Sequence, residues 1–453
     1  MITRRQFTLG SVSLAFAGLA TSALGKTAIS GAVSDPGYGP LVSDPAGILD
    51  LPKGFSYEVV STLAETMSDG FHVPDRADGM GCIALDDNRV ALVRNHELHY
   101  RHLINQPISI QQHKADRAYD AYENGVAFPG GTSTIVYNTQ TKQKEAEYLS
   151  LVGTVRNCSG GITPWGTWLT CEESVDGKAN GLNQDHGYIF EVPANAKGLV
   201  DPIPLKAMGR FNHEAAAVDP RTGIVYLTED RNDSLLYRFI PNVPQKLAEG
   251  GTLQALVVKG KPKFDSRNWK RHTMQKSVWY DTQWVTLDNP ESPNDDLRIQ
   301  GHNKGAALFA RGEGIHWGDN DAYFCCTSGG SKKLGQVMRY QPSPDEGKPG
   351  EIHSPGKLQL FVESEDPSLF NFGDNLTVTP NGHLIVCEDQ YTDTVENHLR
   401  GVTPEGKIYT FAKLSLQTEL AGACFSPDGQ TLFVNVYSPT KTLAIRGPWS
   451  AMV

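Results

Sequence analysis

Six stretches of the chain repeat one pattern: a polar residue, a short apolar run, a turn rich in Pro, Asp, Gly and Asn, and a second apolar run that often ends in carboxylates. They cover residues 78–97, 157–173, 214–230, 313–330, 374–389 and 422–435. Apolar runs of this length around such turns are β-hairpins. A hairpin copied at intervals of a few tens of residues is the signature of a β-propeller, in which each copy is one blade of a closed ring. The expected fold is all-β: a six-bladed β-propeller with inserted loops and short helices. In a closed ring the equivalent ends of the inner strands meet at one mouth, so acids belonging to different repeats converge.

A second kind of strand, marked by Tyr or Phe alternation, follows the hairpins at 133–139, 187–193, 235–241, 335–342 and 406–412. These fit outer blade strands, where aromatic and β-branched residues pack between blades. Spacing between repeats is uneven, which places insertions at 101–125 and 259–303. The strand at 442–446, followed by Gly447-Pro448-Trp449, is expected to complete a blade begun by residues 55–60. One closed ring accounts for residues 26–453 as a single domain.

The formal net charge of −10 argues against a nucleic-acid surface, which needs clustered Lys and Arg. Residues 1–25 read as a signal: Arg4-Arg5 precedes a mildly apolar run that ends in the small-residue site Ala23-Leu24-Gly25. Such a twin-arginine signal hands an already folded protein to its export machinery and implies a periplasmic or secreted location. No later run reaches the roughly 18 apolar residues of a membrane span.

Glu97, Glu172, Glu173, Glu214, Glu229, Asp230, Glu313, Asp374, Glu388 and Asp389 fall at repeat-equivalent places. Carboxylates gathered at one spot repel one another and lose hydration, so they need cations or protons. An oxygen-rich set suits hard cations, calcium above all. Among the seven cysteines, Cys82, Cys158, Cys387 and Cys424 read as small apolar packing residues. Cys171, directly before Glu172-Glu173, is the exception: a thiolate there selects a softer ion, iron or zinc. Arg311 stands two residues before Glu313, on the same strand face, and its planar fork suits an anion such as phosphate. His96 and His213, each in an Asn-His-Glu triplet, read as core or supporting residues. No G-x-S-x-G, H-E-x-x-H or P-loop motif is present.

The blocks at 163–173 (TPWGTWLTCEE), 209–220 (GRFNHEAAAVDP), 226–230 (YLTED), 373–378 (GDNLTV) and 421–435 (AGACFSPDGQTLFVN) resemble the signature blocks of PhoX-type alkaline phosphatases, along nearly the whole chain. The resemblance implies a monomeric, exported propeller that hydrolyses phosphate monoesters with two ferric ions, three calcium ions and a bridging oxo group. It implies that Cys171 and Glu214 bind iron, that Glu97, Glu172 and Glu313 serve the iron and calcium cluster, and that Arg311 grips phosphate. Asp374, Glu229, Asp230 and Glu388 complete the expected metal set. The competing readings are a calcium-dependent, lactonase-like hydrolase, which has no use for a thiolate, and a non-catalytic binding propeller, which has no use for so many acids at one mouth.

Overall fold

A computed structural model describes residues 36–105 and 117–450. The twin-arginine segment and part of the 101–125 insertion lie outside them. Each repeat forms the expected hairpin, closed by a turn whose chemistry is local. In the third, Asp219 accepts the Gly223 amide on its carbonyl and the Arg221 amide on its carboxylate. Gly223 adopts the left-handed conformation that lets the chain double back.

The first strands of the hairpins are Ala77–Ala84, Asn157–Ile162, His213–Val218, Gly312–Trp317, Gly373–Val378 and Leu420–Phe425. Each packs against the next, and the last packs against the first, so these inner strands close a ring. The arrangement is all-β and propeller-like. Among the described residues the hydrogen-bonded sheets number five, because the third and fourth strand groups merge into one nine-stranded sheet. The merger is made by Trp279–Thr286, which pairs with Gly251–Val258 on one side and Lys357–Glu363 on the other. That bridging strand and the short helix Leu297–Asn303 both belong to the insertion expected at 259–303.

Ring closure follows the expected route. Ser56–Thr62, from the N-terminal side, pairs antiparallel with Lys441–Arg446. Tyr38, Phe55, Phe411 and Trp449 pack edge to face around this seam, and the Tyr38 hydroxyl donates to the Trp449 carbonyl at 2.9 Å. Apolar burial between neighbouring sheets supplies the remaining cohesion; Phe211, Leu227 and Tyr237 in one cluster and Phe411, Leu432 and Leu443 in another are fully sequestered.

Two backbone features recur in all six repeats. The pairing of each inner strand with its partner slips just after the start, between Ala77 and Met80, Asn157 and Gly160, His213 and Ala216, Gly312 and Ile315, Gly373 and Leu376, and Ala421 and Cys424. Such a β-bulge adds a residue to one strand and re-aims its side chain. Beside each bulge, the residue that follows the second strand donates its amide to the carbonyl of the residue that precedes the inner strand. The pairs are Glu97 to Arg76, Glu173 to Arg156, Asp230 to Asn212, Thr327 to Arg311, Asp389 to Phe372 and Tyr437 to Glu419, at 2.9 to 3.3 Å. Past the bulges the inner strands come very close: a Cβ on Gly161 would sit 1.9 Å from the Ala216 carbonyl oxygen.

Trp449→Ala is expected to cost about 3 kcal/mol by emptying the closure seam. Equilibrium denaturant unfolding measures it, and a cost below about 1 kcal/mol would mean that the seam does not hold the ring.

Candidate metal centre

The bulge decides which residue faces the mouth. In five of the six repeats it carries Asp78, Cys158, Glu214, Glu313 or Asp374; in the sixth it carries Gly422. The residues after the second strands, Glu97, Glu173, Asp230 and Asp389, form a second tier beside them. Three groups of these side chains bring ligand atoms within 4.8 Å of one another: Glu97 with Cys158 and Glu173, Glu214 with Glu313 and Asp374, and Asp374 with Asp389 and Glu419. Asp374 joins the last two groups. The Cys158 thiol donates to Asp78 at 3.6 Å and links Asp78 to the first.

Two arginines stand among the acids. The Arg311 fork donates to both oxygens of Asp230, at 2.6 and 2.8 Å, and reaches Glu313 at 3.0 Å and the Tyr391 hydroxyl at 3.3 Å. Arg156 donates to Glu97 from Nε and Nη2, at 2.9 and 2.7 Å, and to Glu173 from Nη2 at 2.5 Å. Two guanidinium groups do not balance this many carboxylates. Burial, reinforced by neighbouring carboxylates, pushes Asp78 and Glu214 well above the usual carboxylate range. Burial also raises Glu173 and Glu313, against the pull of Arg156 and Arg311, and lifts Asp374 to about 7. Burial and the charges of Asp78 and Glu214 hold the Cys158 thiol protonated.

Each sequence expectation now has a place. Glu97, Glu214, Asp230, Glu313, Asp374 and Arg311 are brought together at the mouth. Cys171, Glu172, Glu229 and Glu388 are not, and their placement is corrected. Cys171 lies in the apolar cluster with Leu169, Ile189 and Phe211. Glu172 is a buried brace that accepts the amides of Val155, Gly187 and Tyr188 and the His186 ring at 2.6 to 3.2 Å. Glu229 accepts the Tyr237 hydroxyl at 2.7 Å, and Glu388 accepts the Asn371 amide, His398 and Arg400 at 2.8 Å each. All three braces are the last residue of a second strand, where alternation turns the side chain back into the blade. The next residue along looks into the mouth. His96, bonded to Ser133 and the Asp75 carbonyl, and His213, packed against the Phe211 ring, are core residues as expected.

Sequence reasoning read Cys158 as a packing residue, passed over Asp78, Glu419 and Arg156, and named Glu173 and Asp389 only among the converging acids. One signal pointed to three of them: Arg76-Ala77-Asp78 and Arg156-Asn157-Cys158 repeat the spacing of Arg311-Gly312-Glu313.

The family model described as alkaline phosphatase PhoX matches residues 36–142 and 110–440. The chain belongs to the PhoX alkaline phosphatase family. Membership supports a phosphatase. Among solved structures, Pseudomonas fluorescens PhoX in complex with vanadate, a transition-state analogue, is similar at 19% identity and a TM-score of 0.66, covering 91% of this chain and 98% of that one. A gluconolactonase of Xanthomonas campestris is similar at 10% identity and a TM-score of 0.39, covering 91% and 98%. No curated protein matches the sequence. No helix among the described residues is long and apolar enough to cross a membrane.

Two predictions separate brace from ligand. Glu172→Gln is expected to cost about 3 kcal/mol, because it breaks a buried ionic network, whereas Glu173→Gln relieves repulsion and leaves the metal-free stability within about 1 kcal/mol. Thermal melts of both variants test this, and equal losses would sink the distinction. The second concerns pH. Burial would lower His186, but Glu172 and Asp120 outweigh it and lift the imidazole to about 9, while burial lifts Glu229 to about 8. The His186 contribution is complete below about 6.5 and is lost as pH rises towards 9; neutral Glu229, favoured by the fold, loses its advantage between its unfolded value and 8. Chelator-treated protein should therefore melt lower at pH 9 than at pH 6.5, and Glu229→Gln should flatten that slope. A melting point that rises over this interval would contradict both assignments.

Proposed function

We propose that this chain is an exported alkaline phosphatase that hydrolyses phosphate monoesters at an iron and calcium cluster in the mouth of a six-bladed propeller. One observation carries the reading: a buried thiol lies within ligand reach of two carboxylates, in a continuous field of further acids next to an arginine fork. The donor chemistry fits resident metal ions. Glu214 keeps one buried carboxylate oxygen without a hydrogen-bond partner, and the protonation forced on its neighbours is what cations would relieve. Glu97, Cys158 and Glu173 would hold iron, since the thiolate favours a transition metal. The all-oxygen groups Glu214-Glu313-Asp374 and Asp374-Asp389-Glu419 would hold calcium. This set replaces Cys171 and Glu172 by Cys158 and Glu173.

Such ions would offset the charge that develops on a transferring phosphoryl group and lower the pKa of the attacking water. The chain's own residues do the positioning. Arg311 exchanges Asp230 for two phosphoryl oxygens and keeps Glu313 as its anchor. Tyr391, its ring 5.3 Å from the guanidinium, holds the fork from the solvent side. All seven cysteines are unpaired and buried, which suits a protein that folds before a twin-arginine export step and then acts as a periplasmic or secreted monomer.

Elemental analysis combined with p-nitrophenyl phosphate hydrolysis tests the reading. Protein from its native export route should carry iron and excess calcium. Cys158→Ser should lose iron and at least about 10-fold in activity, while Cys171→Ser keeps both. Calcium without iron would shift the reading to a lactonase-like hydrolase, and neither metal would shift it to a binding propeller.

A further inference from the structure

Arg156 occupies the position in the second repeat that Arg311 occupies in the fourth. Each adopts a left-handed backbone, with φ of 52° and 53°, immediately before its inner strand. Arg156 accepts on its carbonyl the amide of Glu173, as Arg311 accepts that of Thr327. Each also donates its own amide to the preceding repeat, to the carbonyl just beyond the mouth acid: Arg156 to Leu98, Arg311 to Arg231, at 3.1 and 3.0 Å. Each crosses to that acid with its side chain, Arg156 to Glu97 and Arg311 to Asp230, and takes a second carboxylate from its own repeat, Glu173 or Glu313. Both stay within reach of solvent, with side chains 35% and 23% exposed. The inner strand of the third repeat packs against those of the second and fourth, and Arg311 reaches that repeat's Asp230, so the two forks bracket one part of the mouth.

Left-handed backbone at a non-glycine residue costs of order 1 kcal/mol or more and persists where the surroundings impose it. Arg76, at the same place in the first repeat and with the same backbone, is spent on Tyr437, whose hydroxyl it binds at 2.9 Å beneath a cation-π contact. Only Arg156 and Arg311, of these three, present their forks to carboxylates. A guanidinium that binds carboxylate oxygens in a planar fork binds phosphate oxygens in the same geometry.

We propose that Arg156 is a second phosphate-gripping residue of this site, acting from the other side of the third repeat to Arg311 and taking the phosphoryl oxygens that Arg311 does not reach. The assignment rests on the phosphatase reading above. Glu97 and Glu173, its present partners, are released to it or to cations by turns: cation binding neutralises the acids and frees the fork for the substrate anion. A merely structural Arg156 would instead hold Glu97 and Glu173 in place, and its loss would then appear as lost metal.

The test compares wild type, Arg156→Lys and Arg156→Gln, each loaded with iron and calcium. Three quantities are read: metal content, binding of inorganic phosphate by calorimetry, and KM and kcat for p-nitrophenyl phosphate. The expected result is unchanged metal content, phosphate bound at least about 10-fold more weakly by Arg156→Gln, a KM raised by a similar factor with a smaller change in kcat, and partial rescue in Arg156→Lys. Phosphate affinity equal to wild type in Arg156→Gln, or metal lost from both variants, would overturn the proposal while leaving the phosphatase reading intact. Wild type that neither binds phosphate nor hydrolyses the ester would instead sink that reading, and the proposal with it.

Discussion

One backbone hydrogen bond, made six times, governs the geometry of the mouth: the amide after each second strand binds the carbonyl before each inner strand. Each such bond is worth only about 1 kcal/mol net. Its effect is geometric, because it pins the two strand ends together at the point where the bulge pushes one extra residue out of register. In the first, second, third and fifth repeats two ligand-type side chains are thereby delivered to the channel mouth, one from the bulge and one from the residue beyond the second strand. Cys158 and Glu173 in the second repeat owe their proximity to this clamp rather than to any attraction between them.

That last point sets the energetics. Like charges at hydrogen-bonding range oppose folding, and the fold tolerates them because the strands carrying them are anchored elsewhere, in the apolar layers between sheets and in the aromatic seam around Trp449. The buried braces Glu172 and Glu388 add to the anchoring: their oxygens are met by backbone amides and by His186, His398 and Arg400, so these acids belong to the scaffold. Adjacent residues in the sequence thus have opposite tasks. Glu172 is satisfied and rigid, and Glu173 is crowded by like charge and available.

The sequence made the ring of hairpins legible, together with the pairing of the N-terminal strand with residues 441–446 and the convergence of acids, because all three follow from pattern and turn chemistry. The phase of the site was not legible. Strand-end position and the family blocks put Cys171 and Glu172 at the mouth, whereas the bulge of the inner strand brings up Cys158 without marking the sequence. Glu419 was hidden for a different reason: the sixth bulge carries Gly422, so its repeat contributes an acid from the residue before the strand, outside the repeating pattern. Arg156 was hidden by attention to Glu313, whose arginine stood out only because a carboxylate rather than a cysteine followed it.

The burial of the Cys158 thiol among carboxylates has a consequence for its reactivity. Thiolate, not thiol, is the form that peroxides and disulfides attack. By burying this one sulfur and setting carboxyl groups beside it, the fold raises its pKa and keeps it chemically quiet. On the metal-site reading proposed above, the same carboxylates that preserve the thiol would share a cation with it, and the arrival of that cation would switch the sulfur from inert thiol to ligand.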